Sequence, residues 1–195
     1  GTTDRRSSPV SIADANVTAT EAGDWHSFFL KNDGSLWAVG SNGYGQLGDG
    51  TTTNRHTPVQ ILEANVTKVS AGGWHSVFLK NDGSLWAMGN GGFGRLGDGT
   101  NTHRYTPVQI VAANVTAIET GLRRSLFLKT DGSLWGMGQN SQGHLGDGTT
   151  TNRNSPVQIV ASGVTQIAAG AYHSLFLKTD GSLWAMGAND FGQLG

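Results

Sequence analysis

The sequence predicts an all-β fold: a β-propeller of four-stranded antiparallel blades, written as four 49-residue repeats. Three observations predict it. Pro9, Pro58, Pro107 and Pro156 recur at one spacing, and so do Gly34, Gly83, Gly132 and Gly181, and Trp37, Trp86, Trp135 and Trp184. Each unit carries four short runs rich in β-branched and aromatic residues, while no stretch of about eleven residues keeps a helical period. Units of roughly 50 residues with four strands apiece are the pattern of propeller blades.

The elements follow in order within the unit 50–98. TPVQIL (57–62) is short and β-branched, and is strand D. NVTKVSAG (65–72) alternates and is strand A. HSVFLK (75–80) and SLWAMG (84–89) are strands B and C. Between them stands Asn81-Asp82-Gly83, a hairpin signal, because Gly83 tolerates the positive φ that such turns require. Blades are expected over 15–62, 64–111, 113–160 and 162–195, the last completed by a strand at 7–12 of the same or a partner chain. The result is a partial ring, or half of an eight-bladed ring formed by two chains. Joining these complementary N- and C-terminal strands hides two sheet edges, so a homodimer is expected.

Composition narrows the function. Lys and Arg number 13 and Asp and Glu 14, a net charge of −1, so no global field favours nucleic acid or an anionic membrane surface. No apolar run reaches the roughly 20 residues of a spanning helix. There is no Cys, which removes disulfides, thiolate catalysis and Cys-ligated zinc. A protein partner is expected, with no nucleic acid, membrane, cofactor or metal.

The stretch AGGWHSVFLKNDGSLWAMGNGGFGRLGDGT (71–100) follows the skeleton A-G-x-x-H-S-h-h-L-x-x-D-G-x-h-W-x-h-G-x-N-x-x-G-Q-L-G, with h apolar, except that Gly91 and Arg95 stand at its Asn and Gln. It resembles the RCC1-like (regulator of chromosome condensation) repeat, four times over nearly the whole chain. The resemblance implies a propeller that binds protein partners through one face. Family members include a nuclear exchange factor for a small GTPase, ubiquitin-ligase accessory domains and a secreted bacterial β-lactamase inhibitor. The phrase D-G-S-L-W-A-M-G is similar to the secreted bacterial members, which implies a bacterial, extracytoplasmic location. The family usually closes with seven blades, and this chain supplies four. Exchange activity does not carry over, because blade number and partner loops are not reproduced.

The units differ in a few places. After strand A stand Asp24-Trp25-His26, Gly73-Trp74-His75, Leu122-Arg123-Arg124 and Ala171-Tyr172-His173. After strand C stand Asn42-Gly43-Tyr44, Gly91-Gly92-Phe93, Asn140-Ser141-Gln142 and Asn189-Asp190-Phe191, followed by Gly and then Gln46, Arg95, His144 or Gln193. In an antiparallel A-B-C-D meander the A–B and C–D connections emerge on one face. Exposed aromatic and Arg side chains on rigid loops make interface hot spots. The candidate partner-binding residues are therefore Trp25, Tyr44, Trp74, Phe93, Arg123, Arg124, Tyr172 and Phe191.

Catalysis is not expected. The His-Ser pairs at 26–27, 75–76 and 173–174 are strand neighbours that point to opposite sides. GDGTTTNR (48–55, 146–153) lacks the alternating acids of a calcium loop and reads as a turn with Asp49 or Asp147 on local N–H groups. Asn16-Val17-Thr18, Asn65-Val66-Thr67 and Asn114-Val115-Thr116 match the glycosylation sequon but read as backbone capping by Asn at the start of strand A. GNGGFG (89–94) opens no helix, so it lacks a phosphate-binding N-terminus. The expected function is a non-enzymatic protein-interaction scaffold. The alternatives are a self-assembling propeller fragment or designed repeat protein with no ligand and, more remotely, an inhibitor of the β-lactamase-inhibitor type.

Overall fold

The computed structural model describes residues 1–13 and 15–195 and shows four antiparallel sheets in succession. The first blade pairs β1 (Val17–Ala22), β2 (His26–Lys31), β3 (Leu36–Gly40) and β4 (Arg55–Leu62). The second pairs β5 (Val66–Ala71), β6 (His75–Lys80), β7 (Leu85–Gly89) and β8 (Arg104–Val111). The third pairs β9 (Val115–Thr120), β10 (Arg124–Lys129), β11 (Leu134–Gly138) and β12 (Arg153–Val160). The fourth has three strands, β13 (Val164–Ala169), β14 (His173–Lys178) and β15 (Leu183–Gly187). Among the described residues the only helical piece is a 3-10 turn at Gly92–Gly94, and no helix is long and apolar enough to cross a membrane.

The repeated phrase is a single mechanical unit. Gly83, at φ +75, turns the chain and donates its N–H to Lys80 O at 3.0 Å. Asp82 Oδ1 accepts the Ser84 N–H at 2.9 Å, and Trp86 Nε1 donates to Ser84 Oγ at 2.8 Å. The indole then stacks on Phe78, with Lys80 Nζ 4.2 Å above it. The other three blades hold the same turn, stack and lysine.

The Asn-Val-Thr triplets have a different explanation from capping. Asn16, Asn65 and Asn114 adopt φ of +77, +71 and +68, where the fourth blade has Gly163 at +79. The following Thr is a β-bulge: Val66 faces Lys80 and Lys68 faces Leu79, leaving Thr67 to donate its hydroxyl to Leu79 O at 3.4 Å. Asn serves here for its backbone conformation, and Thr for its hydroxyl.

Strand D starts earlier than its TPVQ core suggests, because Arg55 pairs with Gly40. Arg55 Nε donates to Asp49 Oδ2 at 2.6 Å, while Asp49 Oδ1 accepts from Thr51 N at 3.0 Å and Thr51 Oγ1 at 2.8 Å. Both carboxylate oxygens are thus occupied by protein donors. Burial pushes this carboxyl up, but the bonds from Thr51 and Arg55 outweigh it and hold it below its ordinary value.

The hydrophobic core lies between blades rather than inside them. Phe28, Leu36 and Leu47 of the first blade pack on Val66, Phe78 and Met88 of the second, and equivalent clusters fill the next two boundaries. Each blade therefore needs a neighbour to bury its face. The fourth lacks one on its outer side. Leu183 is 68% exposed where Leu36, Leu85 and Leu134 are buried. The segment 7–12 forms no strand on β15 within the chain. Instead residues 1–12 run beside the first blade, near Val39 and His56, with Val10 and Ile12 exposed.

Candidate functional site

Each boundary is bolted by a buried contact at the same place in the blade. His26 Nε2 lies 2.8 Å from Ser76 Oγ of the next blade, and His75 Nε2 lies 2.9 Å from Ser125 Oγ. The serines donate in turn to carbonyls, Ser76 to Gln46 O at 2.8 Å and Ser125 to Arg95 O at 2.9 Å. A serine hydroxyl has one proton, so each histidine carries its own on Nε2 and donates it. Nδ1 of His26 and His75 is left without a partner. At the third boundary Arg124 Nε, which can only donate, sits on Ser174 Oγ at 2.9 Å, and Ser174 donates to His144 O. Burial lowers His26 to about 4 and His75 well below its ordinary value, so both rings are neutral.

The histidine–serine contact therefore runs across blades, not between sequence neighbours. It is not a base activating a nucleophile. The serine proton is committed to a carbonyl, the ring nitrogen facing the hydroxyl is a donor, and Ser76 and Ser125 are buried.

The A–B corners converge on one mouth. Gly23, Gly72, Gly121 and Gly170 line a cavity of about 260 Å³. A Cβ on Gly72 would meet His75 Cε1 at 2.6 Å and Gly121 O at 2.7 Å, so glycine is required there. The C–D loops start against these corners: Asn90 N–H donates to Trp74 O at 2.9 Å, and Ser41, Gln139 and Ala188 repeat the bond. Both loop sets share a face.

The candidate residues fall into three groups. Tyr44, Trp74, Phe93 and Arg123, from three successive blades, come together. Tyr44 and Trp74 meet edge to face at 6.5 Å, and the Arg123 guanidinium lies 5.9 Å from the Trp74 ring and 5.3 Å from Phe93. Trp25, Tyr172 and Phe191 stand apart: Tyr172 leans on His144 at 6.0 Å, and Trp25 and Phe191 are exposed on the first and fourth blades. Arg124 is a correction. It is not a surface cation. It is 2% exposed, with Nη1 on Ala171 O at 2.9 Å and Nη2 on the carbonyls of Gly170 and His173. Donors fixed by the neighbouring blade's backbone hold it inside.

Two neighbours of the cluster were not among the candidates. His103 accepts the Gly91 N–H on Nδ1 at 3.1 Å, as Asn54 does for Asn42, and meets Tyr44 edge to face at 5.2 Å. Arg95 lies beneath Phe93, its guanidinium 5.7 Å from that ring. Its signal in the sequence is a cation at a position held by Gln or His in the other units.

This architecture defines a repeat propeller with its irregular loops gathered on one face. The model of the RCC1-like domain matches residues 1–195, and the chain belongs to that family. Among solved structures it is similar to human WBSCR16, with 26% identity and a TM-score of 0.79 over 88% of this chain and 47% of that one. It is similar to yeast RCC1 (Prp20) bound to Kap60, with 23% identity and a TM-score of 0.79 over 92% of this chain and 45% of that one. Prp20p of Saccharomyces cerevisiae, described with its binding to Gsp1p and histones, aligns at 20% identity and a TM-score of 0.60 over 92% and 59% of the two chains. The chain spans about half the length of the first two. No curated protein matches it in sequence. Four blades matching about half of a larger chain make a partial ring.

Proposed function

We propose that the chain is a non-enzymatic interaction module that binds a protein partner through its A–B and C–D loops. One observation carries the reading: Tyr44, Trp74, Phe93 and Arg123, drawn from three blades, form one aromatic and cationic cluster on rigid loops. Yeast RCC1, a protein of the same fold, has been seen bound to Kap60, which is consistent with such a use of the fold. A displayed peptide library selected on the immobilised chain tests it. Selected peptides should lose about tenfold or more in affinity when Trp74→Ala and Tyr44→Ala are combined, with the melting temperature held within a few degrees. Peptides that bind the double variant equally well, or a variant that unfolds, would overturn the assignment of these rings.

A second reading rests on the open edge of β15. Residues 7–12 repeat the D-strand pattern, and by the first blade's register Val10 would face Ala185 and Ser11 would face Trp184. Val10, Ile12, Leu183 and Trp184 are all exposed, as two halves of an unmade contact. Pairing between two copies would complete both fourth blades and yield an eight-bladed ring. Light scattering should then give twice 20.4 kDa, reverting to one copy with Val10→Asp and Ile12→Asp. A single-copy mass for the unmodified chain rules this reading out.

A further inference from the structure

Arg95 is 2% exposed, yet its guanidinium makes one hydrogen bond within the protein, from Nε to Gly92 O at 2.9 Å. Its Nη1 has no partner. Arg123 of the next blade stands over the same Phe93 ring. Among the described residues no carboxylate pairs with either cation; the ion pairs are those of Asp49, Asp98 and Asp147 with their strand-D arginines. Burial, and then Arg123, lower Arg95 to about 10, which leaves it charged at neutral pH. An unpaired buried cation is costly, and neighbouring like charge adds to the cost.

The backbone beside this cation differs from that of the other blades. In the first and fourth blades a glutamine accepts the N–H of the residue two before it, Gln46 from Tyr44 at 3.0 Å and Gln193 from Phe191 at 2.9 Å. An arginine cannot accept. In the second blade the peptide presents its Gly92 carbonyl to Arg95 instead, and Phe93 takes φ +63, a left-handed conformation that Tyr44 and Phe191 avoid. Strain and uncompensated charge coincide at one point, which is where functional sites are found.

That point is a notch of about 280 Å³ between Tyr44, Trp74, Asn90, Phe93, Arg95 and Arg123. Asn90 Oδ1 already accepts the Gly92 N–H at 2.8 Å, so its side chain offers donors. We propose that the notch binds an oxyanion, a carboxylate or phosphate group carried on an acidic segment of the partner. Arg123 meets it at the mouth, Arg95 supplies charge from below, and Trp74, Phe93 and Tyr44 enclose the apolar stem that carries it. This rests on the loop face being the interaction surface and adds the partner's chemistry.

Fluorescence anisotropy at low salt, with labelled hexaglutamate, its phosphoserine counterpart and hexaglutamine, tests the site. An anionic peptide should bind and hexaglutamine should not, and the tighter of the two anionic peptides identifies the group as carboxylate or phosphate. Arg95→Gln and Arg123→Trp each copy the residue of another blade, and each should weaken that binding by about tenfold. Equal binding by Arg95→Gln, or no preference for either anionic peptide over hexaglutamine, overturns the oxyanion site. If library-selected peptides still bind in that case, the interaction face stands and only its chemistry was wrong. If the library yields nothing while an anionic peptide binds through Arg95, the notch stands as an anion site and the broader protein-binding reading falls.

Discussion

Between the second and third blades the deep contact is His75 on Ser125 at 2.9 Å, and the rim contact sets Phe93 and Arg95 against Arg123. One boundary earlier the deep contact is almost the same, His26 on Ser76 at 2.8 Å, but the rim sets Tyr44 against Trp74. The deep contact repeats because a change on either side leaves a buried donor or acceptor unpaired. Tyr44 and Phe93 at the rim border water, so they can change singly. The third boundary separates the job from the residue. Arg124 keeps the donation to Ser174 and adds three carbonyls of the fourth blade to satisfy its remaining donors. A donor is required there, whether neutral or charged.

Acid should produce the largest effect on this contrast. His26 and His75 are neutral when folded, whereas in the unfolded chain they titrate near 6.5. Below that pH the unfolded chain binds protons that the folded one refuses, so stability falls as pH drops from 6.5 towards about 4. His26 alone contributes a loss of roughly 3 kcal/mol, and His75 adds in the same sense. Asp49, Asp98 and Asp147 lie below 3.8 and act only at lower pH, while Glu21 and Glu119, raised by burial, act in the opposite sense near 4.5. The urea midpoint should therefore fall between about pH 7 and about pH 4. His75→Arg, which copies the third boundary, should remove part of that fall. A flat profile would mean that these rings do not stay neutral.

Ser125→Ala comes next in size. It strands the His75 Nε2 proton and the Arg95 carbonyl together, at about 2–3 kcal/mol, or roughly 5–10 °C in melting temperature. Trp25→Ala, at an exposed rim position, should stay within about 0.5 kcal/mol. If the two cost the same, deep and rim contacts do not differ in kind.

The same contrast governs what can be read from sequence. Period and turns are legible because Asp82, Gly83, Ser84 and Trp86 act on one another within a few residues. Arg124 is misread as a surface cation because it follows Arg123 in a variable triplet. What buries it is the backbone of another blade, although the histidine at that place in the other three units already marks the position as interior. Residues 7–12 carry a strand pattern, but a strand needs an edge to pair with, and they lie in none of the four sheets. Arg95 is visible as a variable position. Its meaning depends on the lack of a nearby acid, which is a fact of three dimensions.

Arg95→Gln gives a small gain rather than a loss, and the most specific effect. The new side chain would have an acceptor, as Gln46 has, and the Phe93 N–H would have somewhere to donate. The peptide between Gly92 and Phe93 should then turn over, and Phe93 should leave φ +63 for the negative value that Tyr44 holds. Releasing a left-handed non-glycine residue and removing a buried, unpaired cation should together raise stability by about 1 kcal/mol, or roughly 2–4 °C. A crystal structure of the variant reads the dihedral directly, and calorimetry reads the gain. If Phe93 stays left-handed, the glycine-rich loop itself imposes the turn, and Arg95 has merely filled a space the loop had already made.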